Sequence, residues 1–430
     1  LCLVSEAEGA DDMAPCPQAP ADPEALVIDA PAGDGLEIGG EADSLLAAGS
    51  PVDLLPIATS SGLADPYLTY GGVTDYFYVS HAQCGSNPNY HCSATPIQDA
   101  INFAKGKGSS PDGNTLYIEG GTYAEPTIAL DGITFSLRLL GGVGGGTTTL
   151  VNGASITNSS GAITLENLVF GAVISVSSAT SASIIGTAGD DTVSLQLNGS
   201  GTSNVNVNGG GGTDSLSVVG ANNNGSYQLA AGTITYGSEV VTWSGMAGVT
   251  LTSGSGDDTF TLTTATPFMG GINAGAGNDA LTGTAGNDAI TLSGTNTGDV
   301  NGLAFTGIES INGAGGSDSV IGPSSDTTFT LTGAGSLSAL GMSLTNIEAL
   351  QGGSGTADAL TGTNGADTLT LSGLDAGALN GLSFSGIENI NGAGGMDLID
   401  YSAYTTAVSA DLSTGVVTHL SGLVTNFEDL

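Results

Sequence analysis

The chain copies itself at a fixed long step, and nothing else in it narrows the choice of fold so far. Asp279 and Asp288 lie nine residues apart, as do Asp358 and Asp367, and each pair is followed thirty residues later by a third aspartate, Asp318 or Asp397. The whole pattern recurs at 79 residues, and the text around it recurs too. Gly275-Ala-Gly-Asn-Asp279-Ala-Leu-Thr-Gly-Thr-Ala-Gly-Asn-Asp288 aligns with Gly353-Ser-Gly-Thr-Ala-Asp358-Ala-Leu-Thr-Gly-Thr-Asn-Gly-Ala-Asp367. Gly307-Ile-Glu-Ser-Ile-Asn-Gly-Ala-Gly-Gly returns as Gly386-Ile-Glu-Asn-Ile-Asn-Gly-Ala-Gly-Gly. A chain built this way forms a solenoid, in which each unit buries its apolar face on the next.

A half-period runs inside the longer one. Ile308-Glu309, Ile347-Glu348, Ile387-Glu388 and Phe427-Glu428 step by 39, 40 and 40 residues. Between glycine turns, apolar and small polar residues alternate, as in Ile290-Thr-Leu-Ser, Phe329-Thr-Leu-Thr and Thr368-Leu-Thr-Leu. Period-two alternation bounded by Gly, Asn and Asp predicts strands joined by tight turns. The 71 glycines would weaken helix interiors, so helix is the poorer reading. At roughly twenty residues per coil, forty residues would make two coils of a parallel β-helix.

Charge excludes several partners. Acidic residues number 42, basic residues only three (Lys105, Lys107 and Arg138), and the net charge is −39. Such a chain has nothing with which to neutralise nucleic acid phosphates or an anionic membrane surface. It also lacks the run of about eighteen apolar residues that a membrane-spanning helix needs, so no membrane insertion is expected. Aspartates repeated on regular turns invite a divalent counter-ion, calcium above all. Two other readings stay open: Asp caps turn backbone by itself, and halophilic adaptation enriches acidic surfaces.

Residues 1–65 are rich in Ala, Pro, Gly, Asp and Glu and carry almost no strand periodicity. This composition predicts an extended arm, which would find its place along its own solenoid or on a neighbouring copy. Residues 66–94 hold an aromatic segment, Tyr67, Tyr70, Tyr76, Phe77 and Tyr78, that ends in a Cys84–Cys92 loop. The four cysteines form two close pairs, Cys2 with Cys16 and Cys84 with Cys92, which reads as two local disulfides of a secreted chain. Four free thiols are the alternative, and Cys84, Cys92 and His91 lack an obvious fourth ligand for zinc. Leu1-Cys2-Leu-Val reads as a processed or trimmed end.

Next comes Thr95-Pro96-Ile97-Gln98-Asp-Ala-Ile101-Asn-Phe-Ala104. Thr at the cap, Pro at the first helical position and Gln three after the cap predict a helix start, with Ile97, Ile101 and Ala104 on one face. It is followed by Asn114-Thr-Leu-Tyr-Ile-Glu-Gly-Gly-Thr-Tyr123-Ala-Glu125 and, further on, by Ile163-Thr-Leu-Glu-Asn-Leu-Val-Phe170. Over residues 95–175 the chain resembles the pectin-lyase-like right-handed β-helix superfamily. That resemblance implies a short amphipathic helix plugging the first coil, which keeps its edge from pairing with other chains.

From residue 184 onward the chain resembles a degenerate member of the RTX family of secreted bacterial proteins. The matches are Gly186-Thr-Ala-Gly-Asp-Asp191-Thr-Val, Gly254-Ser-Gly-Asp-Asp258-Thr-Phe, Gly275-Ala-Gly-Asn-Asp279-Ala-Leu and Gly286-Asn-Asp288-Ala-Ile. In that family Asp carboxylates and turn carbonyls of adjacent coils share calcium. The resemblance therefore implies Asp258, Asp279, Asp288, Asp318, Asp358, Asp367 and Asp397 as calcium ligands. At most two repeats are consecutive here, a departure from the family's longer runs.

The expected organisation is an all-β right-handed parallel β-helix with an N-terminal capping helix and an extended N-terminal arm. Its divisions are 1–65, 66–94, 95–183 with the helix and first coils, and the repeat solenoid 184–430. An enzyme is not expected. Asp190-Asp191 and Asp257-Asp258 are neighbours that would point to opposite faces, and His81, His91 and His419 are scattered. Thr282-Gly-Thr284 and Thr361-Gly-Thr363 are two instances of an ice-binding pattern, too few for a flat array. Asn426-Phe-Glu-Asp-Leu430 matches Asn346-Ile-Glu-Ala-Leu350, so the text stops inside a repeat. Either the chain is a piece of a longer array or its open end receives another subunit. The functional expectation is a structural or adhesive protein of the bacterial cell surface, secreted, assembling with itself into a filament or sheath. The alternative is a glycan-binding module or degenerate polysaccharide lyase or hydrolase.

Overall fold

A computed structural model describes residues 76–79, 90–91, 94–107, 114–199, 201–265 and 268–430. The arm 1–65, Tyr67 and Tyr70, and all four cysteines with their two expected disulfides lie outside the described residues. So do two positions of the weighed zinc set, Cys84 and Cys92.

Most strands of the repeat region carry apolar residues at alternate positions, and those residues point inward. Phe260, Leu281, Ile311 and Leu344 occupy one inward column of neighbouring strands, and Ile290, Val320 and Leu350 occupy another. All seven are buried. The outward positions between them are Thr, Ser, Asn and Ala, as in Thr261, Thr282, Asn312 and Thr345. Two large sheets result, one of 20 strands and one of 16, and the chain passes from one to the other at glycine-rich corners. Their inner faces enclose one continuous apolar core running from Val79 to Phe427. The protein is a β-solenoid, as the alternation predicts.

The winding differs from two twenty-residue coils per forty residues. Leu281 pairs with Ile311, Ile290 with Val320, Leu360 with Ile390 and Leu369 with Ile399, so successive coils here are thirty residues apart. The extra chain goes into three-strand antiparallel meanders. One in the first sheet runs Ser226–Ala230, Thr233–Tyr236 and Glu239–Ser244. The next lies in the second sheet, Ala289–Gly294, Thr297–Val300 and Leu303–Thr306. The third returns to the first sheet, Thr328–Gly333, Ser336–Ala339 and Met342–Thr345. The fourth is again in the second, Thr368–Gly373, Ala376–Leu379 and Leu382–Ser385. Forty residues thus make one and a half windings, and each new unit opens on the opposite sheet. Two units restore the starting face, which is why the text repeats fully at 79 residues and only partly at 40. Each repeat adds five rungs to each sheet, an extension of about 24 Å at the usual strand spacing.

The meanders turn on residues in the left-handed region. Asn301-Gly302 has φ of 54° and 81°, and Asn380-Gly381 has 51° and 85°, the pair of positive angles that a type I′ hairpin requires. Leu340-Gly341 adopts the same angles, 51° and 81°, with a leucine where Asn is favoured.

At the N-terminal end, helix α1 spans Pro96–Lys107 and buries Ile97, Ala100, Ile101 and Ala104. The expected start is confirmed, but the group satisfying its first amides is distant in sequence. The buried carboxylate of Glu125 accepts from the backbone N–H of Ile97 at 2.8 Å and of Gln98 at 3.0 Å. The side chain of Gln98 is committed elsewhere, accepting from Ala129 N–H at 2.7 Å and donating to Ala129 O at 3.1 Å. A carboxylate at a helix N-terminus gains from both the unpaired donors and the helix dipole. Replacing Glu125 by Ala should destabilise α1 by about 2 kcal/mol, the range for charged hydrogen bonds. Amide hydrogen exchange at Ile97 and Gln98 should then accelerate on the order of thirtyfold.

Candidate functional site

The seven aspartates singled out by sequence all lie at the corners between the two sheets, and all are buried. What they bind is backbone. Asp279 Oδ1 accepts from Asp258 N–H at 2.7 Å, Asp318 Oδ1 from Asp288 N–H at 2.8 Å, and Asp397 Oδ1 from Asp367 N–H at 2.8 Å. Asp358 Oδ1 takes the N–H of Thr327 at 2.7 Å, and Asp258 Oδ1 that of Gly225. In every case the carboxylate belongs to one rung and the amide to the rung before it.

The residue preceding the buried aspartate completes a reciprocal clasp. Asp257, exposed beside buried Asp258, accepts from Asn278 N–H at 2.9 Å, while Asp279 accepts from Asp258 N–H. Asn287 accepts from Ser317 N–H at 2.8 Å while Asp318 accepts from Asp288 N–H. Asp190 with Asp191 clasps Thr213 with Asp214 in the same way, at 2.7 and 2.8 Å. Asp326 takes the amides of Thr356 and Ala357 at 2.8 and 3.1 Å, opposite the Thr327–Asp358 bond. The acidic pairs that look like catalytic dyads therefore split, one carboxylate outward and one inward, as strand geometry requires.

Glutamates continue the chain of caps upward. Glu309 Oε2 accepts from Asp279 N–H at 2.8 Å, Glu348 from Asp318 at 2.7 Å, Glu388 from Asp358 at 2.7 Å and Glu428 from Asp397 at 2.9 Å. In the sequence these glutamates stand out as markers of the half-period. Their signal was present: each stands thirty or thirty-one residues after the aspartate it caps.

Asp288 and Asp367 are the best satisfied of the seven. Asp288 Oδ2 accepts from Thr284 N–H at 2.7 Å, its Oδ1 from the Thr284 hydroxyl at 3.1 Å, and the Asn301 amide also donates to it. Asp367 repeats this with Thr363 N–H at 2.7 Å, the Thr363 hydroxyl at 2.9 Å and Asn380. Thr284 and Thr363 are thus turned into the corner, whereas Thr282 and Thr361 stand on strands, so the Thr-Gly-Thr pairs do not form one outward array.

The other buried aspartates keep an oxygen to spare. Oδ2 of Asp258, Asp279, Asp318, Asp358 and Asp397 is buried and accepts no hydrogen bond. Burial pushes the carboxyls of Asp279, Asp318, Asp358 and Asp397 above the ordinary carboxylate range, and neighbouring carboxylates add to it. The described basic side chains are remote in sequence: Lys105 donates to Asp131 O at 2.7 Å, and Arg138 pairs with Glu166 at 2.8 Å. His419 lies against Tyr404, ring centroids 4.8 Å apart. Among the described residues, no group of three or more His, Cys, Asp or Glu side chains stands close enough to hold a metal ion. The seven aspartates are brought into two corner ladders rather than one ligand shell.

The glycine five positions before the aspartate has a steric role that sequence alone did not give. A Cβ on Gly283 would stand 2.4 Å from Asp288 Oδ2, and one on Gly362 would stand 2.2 Å from Asp367 Oδ2. Neither glycine has a positive φ. The residue is bare so that a carboxylate can lie over its Cα, a close approach that only glycine permits. No family model, no curated protein and no solved structure matches this chain.

Gly313 shows the same crowding, with Asp318 Oδ2 and Asn346 O each 2.4 Å from its absent Cβ. Gly313→Ala should cost about 1–3 kcal/mol as an overpacked site. Gly373→Ala, where a Cβ would meet nothing within 4 Å, should move stability far less. The two midpoints of urea unfolding, measured side by side, decide it.

Proposed function

We propose that this chain is a structural or adhesive element of the bacterial cell surface, secreted and assembling with itself into a filament or sheath. The observation that carries the reading is where the acidic side chains go. The carboxylates that would otherwise be candidates for acid–base chemistry hold one rung to the next, with Asp258, Asp279, Asp318, Asp358 and Asp397 each accepting a backbone amide. A chain that spends its reactive groups on its own continuity is suited to length and stiffness. The uncharged outward positions of the first sheet, such as Thr261, Thr282, Asn312 and Thr345, fit lateral contact better than turnover. In this reading the solenoid is of the pectin-lyase-like and RTX-like types it resembles, and the arm 1–65 reaches onto a neighbouring subunit.

Electron microscopy of the protein purified from its source tests the proposal. Regular fibres or sheets are expected, and a chain lacking residues 1–65 should give folded monomers. Polymerisation of that truncated chain would remove the arm from the mechanism. Isolated rods from the intact protein that bind neutral glycans would favour a glycan-binding module instead.

A further inference from the structure

The two sheets differ in what they turn outward. Along the first, twelve pairings join thirteen successive strands, from Ser203–Asn208 to Val424–Thr425. Thr, Ser, Asn and Ala supply most of their outward positions, and none of those positions is charged. Glu239, the one acidic residue in these strands, is buried. Gln228, Thr261, Thr282, Asn312, Thr345 and Ser336 form one unbroken row across adjacent strands. Ser343, Ser338, Thr330, Thr361 and Asn391 form a second row beside it.

Charge stands elsewhere. Glu119, Arg138 and Glu166 face outward on the first coils of the same sheet. Asp299 and Asp400 face outward on the second sheet, and Asp190, Asp257 and Asp326 are exposed at the corners. The neutral strip is thus bounded by acidic edges and begins only after the coil of Glu166.

A chain of net charge −39 repels its own copies wherever acidic surfaces meet. A carboxylate only accepts hydrogen bonds, so two acidic surfaces have none to exchange. Hydroxyls and side-chain amides both donate and accept, and a face made of them can pair with its own copy. Its size suffices as well. Thirteen strands at about 4.8 Å make a strip about 60 Å long, and four residues give it a width of about 13 Å. The product, about 800 Å², is what each partner contributes to a stable interface.

We propose, on the basis of the self-assembly proposed above, that the outward face of the first sheet from Asn204 to Thr425 is where a second copy of this chain docks, side by side. Two copies related by a two-fold axis lay the strip on itself, an isologous contact in which each row meets hydroxyls and amides. The acidic corners then fall at the rim, where water and counter-ions screen them. Assembly proceeds through one face of the solenoid, and the second sheet stays outward.

The test adds charge without changing shape. Gln228→Glu with Asn206→Asp places two carboxylates on the first-sheet strip, and Gln351→Glu with Asn273→Asp places two on the second sheet. All four residues are exposed. Thermal midpoints confirm that both variants fold as the parent does. Sedimentation velocity then gives the concentration at which half of each protein is assembled, and electron microscopy shows how the rods touch. The first-sheet variant should need about tenfold more protein or beyond, because like charges would meet across the contact. The second-sheet variant should match the parent. Parent assembly should also strengthen from about 0.01 to 1 M salt, as the Debye length shrinks from about 30 to 3 Å and corner repulsion is screened. A parent that assembles while the two variants weaken equally, or not at all, would overturn this face and leave self-assembly standing. Assembly that dissolves in salt would overturn it too, since opposite charges would then hold the copies. A parent that stays monomeric at every salt concentration overturns both the face and the self-assembly beneath it. A monomer that adheres to neutral polysaccharide through this strip, and loses that adhesion in the first-sheet variant, assigns the face to glycan instead.

Discussion

The structure depends on one hydrogen bond made many times, from a backbone amide in one rung to a side-chain carboxylate in the next. A solenoid corner leaves its amides outside the strand ladder, and a buried amide without an acceptor is costly. With three basic residues among 430, salt bridges between layers are scarce, and the Arg138–Glu166 pair lies far from the repeat corners. Acceptors have to come from the chain itself, and Asp and Glu are the residues that offer two oxygens on a short stem. At Asp257-Asp258 and Asn287-Asp288 the outer member takes an amide of the rung above, while Asp279 and Asp318 of that rung accept the inner member's amide. Part of the protein's negative charge is a by-product of this arrangement.

Two other features fit around it. Glycine at Gly283, Gly313, Gly362 and Gly392 clears the space that the carboxylate needs, so glycine and aspartate five residues apart form one steric unit. The antiparallel meanders set how far the chain travels before the next corner. Because each meander occupies one sheet only, corner ladders form alternately on the two edges, with Asp279 and Asp358 in one and Asp288, Asp318, Asp367 and Asp397 in the other.

Much of this was legible in the sequence, and the missing parts have identifiable causes. The alternation of Ile290-Thr-Leu-Ser or Phe329-Thr-Leu-Thr fixes which side chains enter the core, and the structure buries those apolar positions. The helix start at Thr95-Pro96 was equally readable, because local capping chemistry determines it. The meanders were not anticipated, although Asn301-Gly302 and Asn380-Gly381 are strong hairpin signals. A repeat of forty residues divides evenly into two coils, and that arithmetic hid them. The backbone partners of Asp258, Asp279, Asp318, Asp358 and Asp397 were not legible, since the amide each one meets lies twenty-one to thirty-three residues away. Likewise Glu125, which caps a helix 27 and 28 residues earlier in the chain, carries no local signature.

The alternation of meanders between sheets gives the solenoid a parity. A unit of about forty residues advances the chain by one and a half windings, so inserting or deleting a single unit would exchange the two sheets for everything downstream. An outward row such as Thr282, Asn312 and Thr345 would continue on the opposite side of the molecule. Growth by 79 residues leaves both sides in line. A gene encoding such an array can therefore lengthen in whole repeats without disturbing any surface that runs its length, whereas half-repeats reverse it. The long period is the smallest step that preserves a side.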